Sequence, residues 1–218
     1  MDFTQEEFFQ ALTKYHNAIW PMPWILFFIG IGALAALLSR WRLRRPIILG
    51  ALSFLWLWCG TIFLGYFCSG YISHTTFVPQ AFLFSLQGIL FMITAVRSNE
   101  CLDFDFSRSS FEVIGIVVAC FALIVWPLIG NITGQFYPAA PVFGEACPIT
   151  IFTFGILLCS KSRVPWYFML IPFVWSLTGL IGVIQLGVYD DFIEFLIGVS
   201  ATVTILIRNR TLHREAVA

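Results

Sequence analysis

RWRLRRPIILGALSFLWLWCGTIFLGYF, residues 40–67, holds the two signals that decide how this chain folds. Arg40, Arg42, Arg44 and Arg45 come first, and no charged side chain follows from Pro46 to Phe67. A helix needs about 20 predominantly apolar residues to cross the hydrocarbon layer of a bilayer, and 46–67 has that length. In an aqueous fold such a helix would keep a polar face; this run is apolar all round, the pattern of a buried or lipid-facing helix. The arginines mark one end of it, because basic residues in short connections stay on the cytoplasmic side.

The same pattern recurs along the chain. Its 218 residues are 59% hydrophobic and 11% charged, with a mean hydropathy of +0.88. A soluble domain carries about 25% charged residues, so this chain lacks the polar surface to cover itself in water. Long apolar blocks predict seven spans at 20–38, 46–67, 76–96, 110–129, 147–160, 165–185 and 192–207, the fifth short and the seventh marginal. The formal net charge is zero, which excludes nucleic-acid binding by global attraction. Six cysteines, at 59, 68, 101, 120, 147 and 159, form no CxxC pair and no zinc-like spacing. The start, MDFTQEEFF, is acidic where a cleavable signal peptide is basic.

Basic residues fall in alternate connections. Arg40, Arg42, Arg44 and Arg45 lie between spans 1 and 2, Arg97 and Arg108 between 3 and 4, and Lys161 and Arg163 between 5 and 6. Arg208, Arg210 and Arg214 follow span 7, and Lys14 alone lies on the other side. This asymmetry predicts an odd number of crossings. The expected fold is an all-α integral membrane protein, a seven-helix transmembrane bundle over 20–207 with its N-terminus outside and a cytoplasmic tail at 208–218. Residues 1–19 precede it as an amphipathic helix on the outer surface: Thr4 and Glu7 have capping-box spacing, and Phe8, Leu12, Tyr15 and Ile19 fall on one face.

This topology gathers His16, His74, the 130–148 connection and Asp190-Asp191 on the outer face. The connection ends in Cys147-Pro148, and Pro148 suits the first turn of a helix. Span 5 is then about 14 residues or 21 Å, short of a ~30 Å core. Either the bilayer thins there or the preceding chain, with Phe136, Tyr137 and Phe143, dips inward; irregular backbone at that depth must be buried in protein or line a wet cavity. His16, His74, Tyr137, Glu145, Cys147, Thr150, Thr153 and Asp190, with Gln87 near mid-membrane, are the candidate lining of an outward-facing pocket. The plain structural reading competes throughout. His74 is equally a loop residue, and Asp191-Phe-Ile-Glu194 has the spacing of a capping box for span 7. Cys68 and Cys147 share the outer side and could form a disulfide or remain two buried thiols.

Inside the spans, Gln80, Gln87 and Thr94 recur every seven residues and form one polar stripe. Glu112, Gly115, Ala119 and Ala122 line one face of span 4, and Ser176, Gly179 and Gly182 one face of span 6. Small residues let helices approach closely. No Lys lies in a span, which excludes a retinal Schiff base, and no ionisable group sits near a midplane as a proton pump requires. No Ser/His/Asp elbow and no HExxH motif is present.

Two stretches carry a family likeness. Tyr15-His16-Asn17-Ala18-Ile19-Trp20-Pro21 is one; the other combines Tyr137-Pro138, Pro141, Phe143-Gly144, Cys147-Pro148 and Ile151-Phe152-Thr153-Phe154-Gly155. With them the chain resembles a family of uncharacterised bacterial multi-pass membrane proteins, catalogued as a domain of unknown function. The resemblance implies a bacterial inner-membrane location and no activity. The functional expectation is binding or transport of a small solute through the outward pocket, without cofactor, metal or nucleic acid; the lipid bilayer and that solute are the partners, and no oligomeric state is indicated. A non-enzyme is preferred. The alternatives are an outer-face enzyme or thiol-redox protein using Cys147 with His16 or His74 as base, and a non-catalytic partner subunit.

Overall fold

The computed structural model describes residues 4–97, 101–105, 107–132, 136–186 and 190–217. It is all-helical, with no extended strand among the described residues, only isolated bridges. The elements are α1 (Gln5–Ile19), α2 (Met22–Leu38), α3 (Arg44–Tyr71), α4 (His74–Val96), α5 (110–132), α6 (Ala146–Leu158), α7 (Trp166–Leu186) and α8 (Asp190–Val217). The last seven fall on the seven blocks read from the sequence. Four of them, α3, α4, α5 and α7, are long and apolar enough to cross a membrane; a fifth crossing counts if α1 and α2, bent by 84°, make one span.

The capping box read at Thr4–Glu7 forms, and Ser109–Glu112 forms a second one. α8 differs from expectation. It begins at Asp190, so Asp191 sits inside the first turn rather than at the cap. The helix also continues through Val217, so 208–217 is helical. Arg208 is buried there and donates to Leu157 O at 3.1 Å, closing the carboxyl end of α6.

α6 is the centre of the bundle. Every residue from Pro148 to Leu158 is buried, enclosed by α3, α5, α7 and α8. This explains its length: a helix surrounded by protein need not match a lipid thickness, and 13 residues cover about 20 Å. Small residues bring α5 onto it. A Cβ on Gly155 would stand 2.6 Å from both Ala119 N and Gly115 O, which is the stripe expected on span 4. α3 and α4 approach by the same device, Gly60 lying against the backbone of Ser85.

The connections gather at two ends. At one, Arg45 donates to Leu102 O (2.7 Å) and Thr94 O (2.9 Å), Arg44 pairs with Asp105 (3.0 Å), and Asn209 bonds with Val164. At the other, α1 lies across the bundle. Its apolar face packs on α3, with Tyr15 against Phe63 and Phe67 and its hydroxyl accepting from Trp58 Nε1 at 2.9 Å. The face read as membrane-seeking is therefore used largely on protein. The 136–145 passage folds inward here. Phe143 is buried edge-on to Phe152 at 5.3 Å, and Gly144, at φ 118°, makes the turn against Leu26 that a side chain would obstruct.

Candidate functional site

A cavity of about 90 Å³ lies at the α1 end of the bundle, between α3, α4, α6, α7 and α8. Its wall on α3 belongs to a π-helical stretch, Cys59–Cys68, which turns Phe63, Leu64 and Cys68 toward it. Such stretches are frequent at functional sites. Gln80 enters from α4, Cys147 from the first turn of α6, Trp175 and Thr178 from α7, and Asp191 and Glu194 from the first turns of α8. Gly179 and Gly182 on α7 make room for α8: a Cβ on Gly179 would stand 2.6 Å from Asp191 O. The small-residue face expected on span 6 thus places the acidic turn.

The lining is chemically incomplete. Gln80 Oε1, Trp175 Nε1 and Glu194 Oε1 are shielded from solvent and lack a hydrogen-bond partner. Glu194 is only 1% exposed. The Cys147 thiol donates to Asp191 Oδ1 at 3.7 Å. One ligand atom from each of Cys147, Asp191 and Glu194 can be chosen so that all lie within 4.8 Å of one another. Buried polar groups are nearly always paired, so unpartnered atoms converging on one void call for an explanation.

Beside the cavity, His16 is 0% exposed. Its Nδ1 lies 2.6 Å from Pro138 O and its Nε2 2.9 Å from Glu145 Oε1. That same oxygen accepts from Val142 N at 3.0 Å. Both ring nitrogens thus face acceptors, so the imidazole donates twice and is the cation of a buried ion pair. Burial pushes its pKa down, but the Glu145 carboxylate and the Pro138 carbonyl outweigh this and hold it above the ordinary histidine value. The pair locks α1 onto the 136–145 passage.

The residues named from the sequence separate into groups. Glu145 and Cys147 line the cavity. His16 stands behind Glu145. Thr150 is buried with its hydroxyl unpartnered. Thr153 accepts from Trp56 Nε1 at 2.8 Å and donates to Ile149 O, a packing role. Gln87 is buried and donates to Phe168 O at 3.2 Å, outside the cavity lining, whereas Gln80 two turns earlier reaches the cavity. His74 is exposed in the first turn of α4 and lines no part of the cavity. Tyr137 stacks on His16 at 5.3 Å and lines a separate apolar groove of about 450 Å³ with Trp20, Trp24 and Phe143. Asp190 opens α8, but its side chain lies outside the described residues. Cys68 and Cys147 are both free thiols on the same cavity wall, so the possible disulfide is not formed; the Cys147 sulfur is directed at Asp191 instead. Neither histidine can serve Cys147 as a base, since both His16 nitrogens are occupied and His74 is elsewhere.

Sequence reasoning passed over Trp175 and assigned Glu194 to a cap. The available signal was the i, i+3 spacing of Asp191 and Glu194, which a cap and a shared wall produce alike.

The architecture defines a class: a helical bundle built around a buried central helix, with apolar outer helices and, at one end, a small cavity that holds a few polar groups. The chain belongs to the Family of unknown function (DUF6064), which matches residues 5–216 and so takes in every helix of the bundle. No curated protein and no solved structure matches it.

Proposed function

We propose that this chain is a seven-span integral membrane protein, amino terminus outside, that binds a small polar solute in the cavity at the outer end of the bundle. The observation that carries the reading is the convergence of Gln80 Oε1, Trp175 Nε1 and Glu194 Oε1, an acceptor, a donor and a carboxylate oxygen, on one void without partners. Leaving such groups unmade costs about 1–3 kcal/mol each. A solute that satisfies them recovers that energy on binding. The gathering of Arg44, Arg45 and Arg208 at the opposite end supports the orientation, since arginine-rich connections stay cytoplasmic.

The test has two arms. In intact cells a membrane-impermeant methanethiosulfonate should modify Cys68→Ala and not the double variant Cys68→Ala/Cys147→Ala; modification that requires permeabilised cells would reverse the orientation. In nanodiscs, the purified chain should gain thermal stability with at least one of a panel of inorganic cations, amines and amino acids. Gln80→Leu and Trp175→Phe should abolish that gain. A panel without effect, or a gain that survives both variants, would overturn solute binding at this cavity.

A further inference from the structure

We infer that Cys147, Asp191 and Glu194 form a binding site for a divalent cation of borderline softness, with zinc as the type. This deepens the solute-binding reading and rests on it, by naming the class of solute. Three observations carry it: the approach of the three ligand atoms, the unpartnered oxygen of an almost wholly buried carboxylate, and the absence of any basic side chain among the described residues that line the cavity.

The charges come first. Glu145 also lines the cavity, but His16 neutralises it at 2.9 Å. Glu194 has no such cation among the described residues of the lining. The amino end of α8 contributes roughly half a positive charge, which offsets only part of the Glu194 carboxylate. A divalent cation supplies what is missing. Burying a carboxylate is unfavourable unless it is paired or coordinates a metal, and Glu194 is as buried as any carboxylate in the described chain.

The geometry is close to that needed. Zinc binds thiolate sulfur at about 2.3 Å and carboxylate oxygen at about 2.0–2.2 Å, so tetrahedral neighbours stand about 3.5 Å apart. Cys147 Sγ and Asp191 Oδ1 are 3.7 Å apart, and all three ligand atoms fall within 4.8 Å. All three residues line the cavity, whose 90 Å³ has room for a few waters. Trp175 Nε1–H cannot ligate a cation, but it can donate to a carboxylate or a bound water, and Gln80 Oε1 can accept from one.

Ligand chemistry narrows the class. A sulfur donor disfavours magnesium and calcium, which take oxygen ligands, and favours zinc or cadmium. Binding releases the Cys147 thiol proton to water, so affinity falls with acid. Every element of the site is preassembled: α6 is locked by its surroundings, and Gly179 and Gly182 admit the α8 turn.

The test uses the full chain in detergent after chelator treatment. Titration with zinc should give one site per chain, and cobalt should show a sulfur-to-metal charge-transfer band. Cys147→Ser should remove the band. Glu194→Gln should weaken zinc at least tenfold, and a cooperative thermal transition of the metal-free variant shows that it folds. His74→Ala should leave binding unchanged. Absence of the charge-transfer band, stoichiometry unchanged in Cys147→Ser and Glu194→Gln, or equal competition by magnesium would overturn the site. If zinc fails while an amine or amino acid stabilises the chain through Gln80 and Trp175, only the cation assignment falls. If zinc binds but Cys147 is labelled from the cytoplasmic side, the site stands and the orientation falls.

Discussion

The imidazole of His16 lies 2.9 Å from the carboxylate of Glu145, a residue 129 positions further along the chain, and both are out of water. This contact ties the helix that crosses the end of the bundle to the proline-rich passage before the central helix. It also neutralises the carboxylate that would otherwise add to the charge of the cavity.

Removing one partner should be costly, because it leaves the other charge buried and alone. His16→Ala or Glu145→Ala is expected to lose about 3–5 kcal/mol, with the double variant losing much less than the sum. Stability should also depend on pH with a definite sign. The folded pKa of His16 is raised above its unfolded value of about 6.5. Its contribution is therefore fully present below that value and is lost as pH rises through the folded pKa. Thermal midpoints in detergent between pH 5 and 9 (roughly the range a histidine can report) should fall with rising pH in the wild type. His16→Gln should flatten the slope, and an unchanged slope would show that the histidine is not the cation.

Trp56 donates to Thr153 in the middle of the bundle at 2.8 Å, with both residues buried. Thr153→Val keeps the volume and strands the indole N–H, at a cost of about 1–3 kcal/mol. Adding Trp56→Phe removes the stranded donor, so the part of the loss due to that donor should be recovered. A denaturation series on the four proteins of this cycle measures the coupling; additive losses would mean that the bond contributes nothing.

Gly155 and Gly32 make a controlled comparison. A methyl on Gly155 meets backbone atoms of α5 at 2.6 Å, and one on Gly32 meets nothing within 4 Å. Backbone cannot move aside cheaply, so Gly155→Ala should destabilise by at least about 1–3 kcal/mol, while Gly32→Ala stays within about 0.5 kcal/mol. Equal thermal midpoints for the two would refute the close α5–α6 contact.

The helices and two of their caps were legible because their energies are local. An apolar run of 22 residues is favoured in hydrocarbon wherever its neighbours lie, and a capping box closes within four positions. Thr4–Glu7 therefore appears as read, and Ser109–Glu112 has the same spacing. The same spacing at Asp191–Glu194 misled, because the helix starts two residues earlier and turns Glu194 toward Cys147. Small-residue faces showed which sides of α5 and α7 would be approached, without showing by what.

One-dimensional patterning thus determined the helical segments, the hydrophobic character of the chain and the odd nature of the passage at 136–145. Only packing decided that His16 meets Glu145, that Tyr137 leaves the polar site for an apolar groove, and that Cys147 faces Asp191 across 44 residues of chain. Each residue turns a helix by about 100°, so the direction of a side chain depends on where the helix begins and on which neighbour it rests. Those quantities exist only once α6 is enclosed.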